Sequence, residues 1–479
     1  MLKKALPIAF ALFAAALVGN AGEMQYRTSP RLSAYFAKAK QNLPVLVAFL
    51  HKMPKGGDLH NHPSGAVNTE TIIKLAAEKG LYFDRKNLAF TREQPAGPFY
   101  AAKEFAENYW KHGEIVEALS LRNLHLAGES GHDRFFRSFD RFALVLPDDL
   151  PTYKEIMLRA LNQEISYLEL MTLPTEDPDW RDIVENARLE AIREFRDKGL
   201  ERELEVRFIY PLVRVSVLAE PDAMRKQVAR AFAAVRSMPD LFKGITILAP
   251  EDDPQSQKYF QEHMEIIREG LRDACRAYEE DPANNPPPPR LMLHAGELTI
   301  EYATYESMTD RISTVLETAR ASRIGHGTSI MWDDRVYDVL KYMRDHRIAL
   351  EFCPTSAEGI LKTAKDDHPF PLYWAANVPV VIATDDEGVA RSNLTLEYAK
   401  AARWFDLSYA ELKWLAFNSL EYSFLSGESY FSSGDYNVPR ADAETVAKTS
   451  EKARMQADLL RRFAEFEKRM ETVLDTFRW

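Results

Sequence analysis

From residue 165 to residue 384 the chain alternates short apolar runs with longer amphipathic ones, and this alternation limits its fold more than any other feature. The runs 165–172, 204–213, 243–249, 290–295, 322–326, 348–353 and 379–384 read as strands. Between them, 181–199, 222–237, 257–280, 308–320, 334–346 and a short stretch near 370–376 read as helices. Asp58 to His62, after Gly56-Gly57, supplies the end of an earlier strand, and Thr69 to Lys79 its helix. Eight strands separated by helices favour a parallel α/β sheet with right-handed crossovers, closed as a barrel or left open. The proline run 286–289 cannot be helix interior and marks a loop.

Two segments depart from the alternation. Residues 82–150 are long, polar and rich in aromatics, and are expected to form a mostly helical insertion after the first strand, with Phe135 to Phe142 packing over the sheet's mouth. The tail, 393–426 and 440–477, is helical by period, with no strand expected between, and 427–479 reads as a helical extension. Leu459, Leu460, Phe463, Phe466 and Met470 repeat at helical spacing. That stripe is expected to pack on the outside of the domain, with a homodimer contact as the alternative. Although 479 residues would permit two or three domains, residues 22–479 read as one.

Residues 1–21 read as an export signal. Lys3 and Lys4 precede an apolar run of 14 residues, Ala5 to Val18, too short for a comfortable membrane span, and Gly19-Asn20-Ala21 offers small residues for cleavage. The mature protein is therefore expected in the periplasm or secreted, free of the membrane. A net charge of −11 gives no footprint for a phosphate backbone, so nucleic acid is not an expected partner. With 46% hydrophobic residues the chain can bury a large core. Cys275 and Cys353 are too few for a disulfide framework and read as two separate buried thiols.

The chemistry is concentrated at predicted strand ends. In His60-Asn61-His62 the two imidazoles share one face of a strand and can reach one ion. His294-Ala295-Gly296-Glu297 follows Leu291-Met292-Leu293, and an ionisable pair there is unlike core. In Gly325-His326-Gly327 the glycines let backbone approach a ligand closely. Thr384-Asp385-Asp386 follows Val380-Val381-Ile382, and its carboxylates suit a metal ligand beside a substrate partner, although an isolated Asp-Asp more often caps a turn. The ends of strands one, five, six and eight thus all offer His, Glu or Asp, and a barrel would gather them on its C-terminal face.

These segments, with Met53-Pro54-Lys55-Gly56-Gly57-Asp58-Leu59, Cys353-Pro354-Thr355-Ser356, His368-Pro369, Val378-Pro379-Val380, Asn418-Ser419 and Ser423-Phe424-Leu425, run in one order from residue 53 to 425. The chain so resembles the adenosine deaminase branch of the amidohydrolase superfamily, and its Met-Pro-Lys-Gly start is similar to the secreted, growth-factor-type members. The resemblance implies a (β/α)8 TIM barrel and zinc-dependent deamination of a 6-aminopurine nucleoside, adenosine or 2′-deoxyadenosine, to inosine or 2′-deoxyinosine. It implies one zinc per chain on His60, His62, His294 and Asp385. It assigns acid–base and purine-contact positions to Glu297, His326 and Asp386, with Asp385 helping His326. Ser64 stands where the family often has a ribose-binding Asp, and Gly244-Ile245-Thr246-Ile247-Leu248-Ala249 departs from the family pattern at Thr246 and Ala249. Ser64 and Ala249 are thereby expected to line the nucleoside, and Thr246 and Ala249 to alter the purine wall. The rival readings are another amidohydrolase on this scaffold, acting on a different purine or an amide, and a secreted binding protein without turnover.

Overall fold

A computed structural model describes residues 27–123, 128–146, 149–174, 179–197, 202–432 and 434–476. The expected export signal lies outside these residues. Eight parallel strands form one sheet in chain order: β1 (Gly56–Asn61), β2 (Ile165–Met171), β3 (Glu205–Val213), β4 (Phe242–Leu248), β5 (Arg290–Ala295), β6 (Arg323–His326), β7 (Ala349–Phe352) and β8 (Val380–Ile382). A parallel bridge between Asn61 and Asp385 closes the ring, and the Asp385 N–H donates to the His60 carbonyl at 2.8 Å. This is a (β/α)8 barrel, and all eight strands expected from the sequence form it.

Strand alternation sorts the side chains. On β5, Leu291 and Leu293 join the large core between sheet and helices, while Met292 falls in a separate small cluster with Met171, Ile209 and Phe424. His294 has the same parity as Met292. Helices Trp180–Asp197, Pro221–Ser237 and Phe260–Glu280 cover the outer face with residues such as Val184, Ala191, Val228, Met264 and Ile267. The helix expected over 308–320 is instead broken into a 3-10 turn at Tyr305–Ser307, one α turn at Arg311–Thr314 and a π turn at Val315–Ala319. Side-chain bonds compete with the ladder there: the Ser313 N–H donates to Asp333 at 3.1 Å and the Arg311 side chain to the Ser307 carbonyl at 2.5 Å.

The segment after β1 is helical at Ala102–Glu107, Tyr109–Ala118 and Gly131–Phe142, but also carries a three-stranded antiparallel sheet of Tyr82–Asp84, Ala89–Thr91 and Phe99–Tyr100. Phe83, Phe90, Phe105, Phe135 and Phe142 form its core together with Ile360, Leu361 and Val389 from the segments that follow β7 and β8. In the tail, Phe431–Ser432 and Asp435–Pro439 make a hairpin where the period predicts none. Its anchor is the buried Tyr436, whose ring lies 4.5 Å from Trp414 and whose hydroxyl donates to Asn418 at 2.7 Å. Two strands this short leave no periodicity to read. The last helix, Glu451–Thr476, buries Leu459, Phe463 and Phe466 against the domain. Cys275 and Cys353 are both free thiols. Among the described residues no helix is long and apolar enough to cross a membrane.

Inside the barrel, a buried guanidinium joins two buried carboxylates. Arg323 donates through Nε to Glu351 at 2.6 Å, through a terminal nitrogen to Glu169, and to the Tyr422 carbonyl at 2.8 Å. All three side chains are at most 1% exposed. Removing the cation strands two charges, and breaking a buried pair in this way costs about 3–5 kcal/mol. Arg323→Met is expected to lose stability on that scale, read as a lower urea midpoint at unchanged slope. A midpoint equal to wild type contradicts the assignment.

Candidate active site

Four imidazoles and three carboxyl groups meet where the strands end. β1 carries His60, and His62 follows it, so alternation turns both rings to one side while Asn61 between them donates to Thr384 at 3.1 Å. The Nε2 atoms of His60 and His62 are 3.2 Å apart, and those of His62 and His294 are 3.3 Å apart. Asp385 Oδ1 lies 3.3 Å from His62 Nε2 and 3.6 Å from His60 Nε2. A tetrahedral ion with bonds of about 2.0–2.1 Å holds its ligand atoms roughly 3.3–3.4 Å apart. Four of the six separations among these donor atoms, 3.2–3.6 Å, are thus close to those of such a site.

The outer ring nitrogens explain why the inner ones face one another. His60 Nδ1 is 2.8 Å from Glu351 Oε2, and His294 Nδ1 is 3.0 Å from Thr246 Oγ1. With Nδ1 engaged as donor, each Nε2 carries a lone pair. His60 Nε2 and His294 Nε2 stand 3.2 Å and 3.3 Å from His62 Nε2, so a proton or a cation has to lie between the facing nitrogens. Burial pushes His62 down to about 4 and His294 well below its ordinary value, so both rings are neutral at pH 7. Burial alone would lower His60 too, but the hydrogen bond to Glu351 and the nearby Asp385 raise it. Burial would raise Asp385, yet the His60, His326 and His62 rings hold it well below the carboxylate range.

On one side of this cluster stands His326, 3.6 Å from Glu297 Oε1 and 4.0 Å from Asp385 Oδ2. Burial pushes His326 down to about 3. Glu297 goes the other way, raised well above its usual range by burial and by the Asp385 charge. Asp386 is raised likewise, by burial first and then by Asp385, and its Oδ1 is buried without a hydrogen-bond partner. Gly65 makes room for it: a Cβ there would sit 1.7 Å from Asp386 Oδ1. His326, Asp385 and Ala249 all hold left-handed backbone, with φ of 66°, 60° and 80°. Such non-glycine conformations cost about 1–3 kcal/mol each and collect at functional sites.

Seven of the residues singled out from the sequence are thus brought together: His60, His62, His294, Glu297, His326, Asp385 and Asp386. Ser64 is exposed on the short helix Pro63–Ala66, beside the Gly65 that packs on Asp386. Ala249 is half-buried, and its carbonyl accepts from Arg214 Nε at 3.0 Å. Thr246 corrects the sequence reading. It is fully buried, and its hydroxyl meets the back of His294 instead of forming a wall of the substrate pocket. Sequence reasoning also missed Asp58, which accepts from the Thr384 hydroxyl at 2.5 Å and is raised to about 7 by burial, and Glu351 behind His60. The available signal was a charged residue inside an otherwise apolar strand, as in Ala349-Leu350-Glu351-Phe352.

The model of the adenosine deaminase family matches residues 115–430. An aminodeoxyfutalosine deaminase of Streptomyces coelicolor is 31% identical, over 79% of this chain and 82% of its own. An N6-methyl-AMP deaminase of Bos taurus is 24% identical, over 80% of this chain and 93% of its own. Among solved structures, an amidohydrolase from Burkholderia ambifaria with bound zinc superposes with a TM-score of 0.53 at 20% identity, over 88% of this chain and 94% of its own. That likeness bears on the fold. With the family model spanning most of the barrel, this chain belongs to the adenosine deaminase family and is a hydrolytic deaminase of that family.

Proposed function

We propose that this protein hydrolyses the 6-amino group of a purine nucleoside, adenosine or 2′-deoxyadenosine, releasing ammonia and the 6-oxo product. The observation that carries the reading is the convergence of four donor atoms, with neighbouring separations of 3.2–3.6 Å, and of Glu297 and His326 on one side. His60, His62, His294 and Asp385 would hold one zinc ion. When bound, zinc there supplies the Lewis acidity that makes water nucleophilic near neutral pH.

The side chains divide the remaining work. Addition of water at C6 breaks the aromaticity of the ring and is feasible only if N1 gains a proton. Glu297, kept neutral by burial, is suited to give it. His326, kept unprotonated by burial, is suited to take a proton from the attacking water, with Asp385 alongside to stabilise the imidazolium. The C6–N6 bond then breaks as the amino group takes the proton held by His326 and the C6 hydroxyl gives one back to Glu297, so ammonia leaves, the 6-oxo product keeps the N1 proton and both side chains are restored. Asp386, whose Oδ1 has no partner, is suited to hydrogen-bond the ring near N7. Export to the periplasm or the medium, read from residues 1–21, is part of the same proposal.

Three outcomes are expected. First, protein never exposed to chelator should give one anomalous-scattering peak per chain at the zinc edge, among His60, His62, His294 and Asp385. A map without that peak counts against the metal assignment. Second, Glu297→Gln keeps the shape but has no carboxylic proton, so zinc should stay bound while turnover falls by about 10²-fold or more. A variant with near-normal turnover removes Glu297 from the mechanism.

The third concerns the sugar. A serine hydroxyl at Ser64 holds sugar oxygens more weakly than a carboxylate, because charge-assisted hydrogen bonds are roughly twice as strong. The lost contact is on the order of 1.5–3 kcal/mol. kcat/KM for adenosine, 2′-deoxyadenosine and 5′-deoxyadenosine should therefore agree within about a hundredfold. A thousandfold or greater loss on removing the 5′-hydroxyl would reveal a strong sugar contact. The 31% identity to an aminodeoxyfutalosine deaminase favours aminodeoxyfutalosine as a second reading of the substrate. That compound and N6-methyl-AMP belong in the same assay, and activity on neither these nor adenosine would sink the deaminase proposal.

A further inference from the structure

Glu251 lies three residues beyond β4, in a segment where the sequence offers only Pro250-Glu251-Asp252-Asp253. It is 1% exposed. Both of its oxygens are taken by main-chain donors of the turn after β5. Oε1 accepts the Gly296 N–H at 3.2 Å and Oε2 accepts the Glu297 N–H at 2.8 Å. β5 ends at Ala295, so these are the first amides past it, and a buried amide left unpaired costs about 1–3 kcal/mol. The turn is also tight: Gly296 has φ 72°, and a Cβ there would lie 2.7 Å from Ser329 Oγ.

Glu251 is itself fixed on several sides. Gln257 donates to its carbonyl at 2.7 Å. Arg214 stands 3.8 Å from Oε2 and Arg311 4.0 Å from Oε1. Arg214 also donates to the carbonyls of Ala249 at 3.0 Å and His294 at 3.1 Å, which ties the ends of β3, β4 and β5 together. We propose that Glu251 is a positioning residue for Glu297: by holding the amides of the Gly296-Glu297 turn it sets where the Glu297 carboxyl stands. The inference rests on Glu297 being the proton donor. It predicts that Glu251 acts through Glu297 and not by contact with substrate.

Glu251→Gln tests this, since its amide NH2 replaces one acceptor oxygen at nearly constant shape. With adenosine as probe, kcat is expected to fall about tenfold to a hundredfold, the scale of a displaced catalytic group, with KM and zinc content within about twofold of wild type. In a Glu297→Gln background the same change should lower kcat by less than about twofold, because the group being positioned is gone. Equal losses in both backgrounds overturn the proposal. An activity-independent readout accompanies the cycle. Amide exchange in the peptide spanning 294–299 should rise in Glu251→Gln at unchanged exchange elsewhere, and unaltered exchange there overturns the proposal whatever the kinetics. If the Gln variant does not fold, Glu251→Asp keeps the charge, shortens the reach by one methylene and carries the same two measurements. Wild-type protein inactive on adenosine, or Glu297→Gln without loss, refutes the functional reading instead and leaves the exchange measurement to decide on Glu251.

Discussion

The molecule depends on the buried contact between Arg323 and the two carboxylates Glu169 and Glu351. Charges taken out of water lose hydration worth several kcal/mol each, and only close geometry with every remaining polar atom engaged offsets it. Here it is offset. Glu169 also accepts from the Tyr167 hydroxyl at 2.8 Å and from the Phe424 N–H at 2.6 Å. Arg323 also lies over the Phe424 ring at 3.8 Å. Glu351 turns its other oxygen to His60 Nδ1 at 2.8 Å. One network therefore seals the barrel interior, pins the segment after the helix Tyr409–Glu421, and sets the tautomer and aim of an imidazole in the active site. Stability and chemistry share residues, so a substitution at Arg323 reaches both.

Ring closure and site assembly are coupled in the same way. The last strand meets the first through Asn61 and Asp385, and Asp385 is also a member of the site. Beneath them Asp58 accepts from the Thr384 hydroxyl at 2.5 Å and its N–H at 3.3 Å, which links β1 to the end of β8 a second time. Asp385 can hold φ of 60° because its N–H is tied to the His60 carbonyl while its carboxylate faces three imidazoles. The strain at His326, Asp385 and Ala249 persists because their surroundings over-determine it.

What the sequence revealed follows from what has a period or a motif. The barrel strands were legible because each pairs an apolar run with a following amphipathic helix. His294, Glu297, Asp385 and Asp386 were legible because each stands at the end of such a run, and His60, His62 and His326 because they form the His-Asn-His and Gly-His-Gly motifs at strand ends. The hairpin at Phe431–Ser432 and Asp435–Pro439 and the small sheet near Phe83 are too short to show alternation. The π turn at Val315–Ala319 was hidden because its apolar residues keep a helical spacing while bonds to Asp333 and Ser307 reset the backbone. Thr246 was read as a substrate wall because its place in the motif is known from one dimension only. Whether a side chain at a strand end faces the cavity or the back of a neighbouring histidine is decided by barrel register, here the pairing of β4 with β5 that starts from Gly244 opposite Arg290.

The adjacent carboxyls Asp385 and Asp386 are driven in opposite directions by their surroundings, and that contrast organises the chemistry. Asp385 looks toward His60, His326 and His62, and these rings favour its ionised form. Asp386 packs against the Gly65 backbone, and burial beside the Asp385 charge favours its neutral form. Two like charges this close would not both ionise in a buried site. One carboxyl is thus left anionic and the other neutral, the states that the proposed roles of metal ligand and ring donor require. Glu297 extends the pattern, since the same Asp385 charge that faces the histidines helps keep Glu297 protonated. Burial first, and then a single fixed anion placed by ring closure, therefore favour the neutral forms of Glu297 and Asp386.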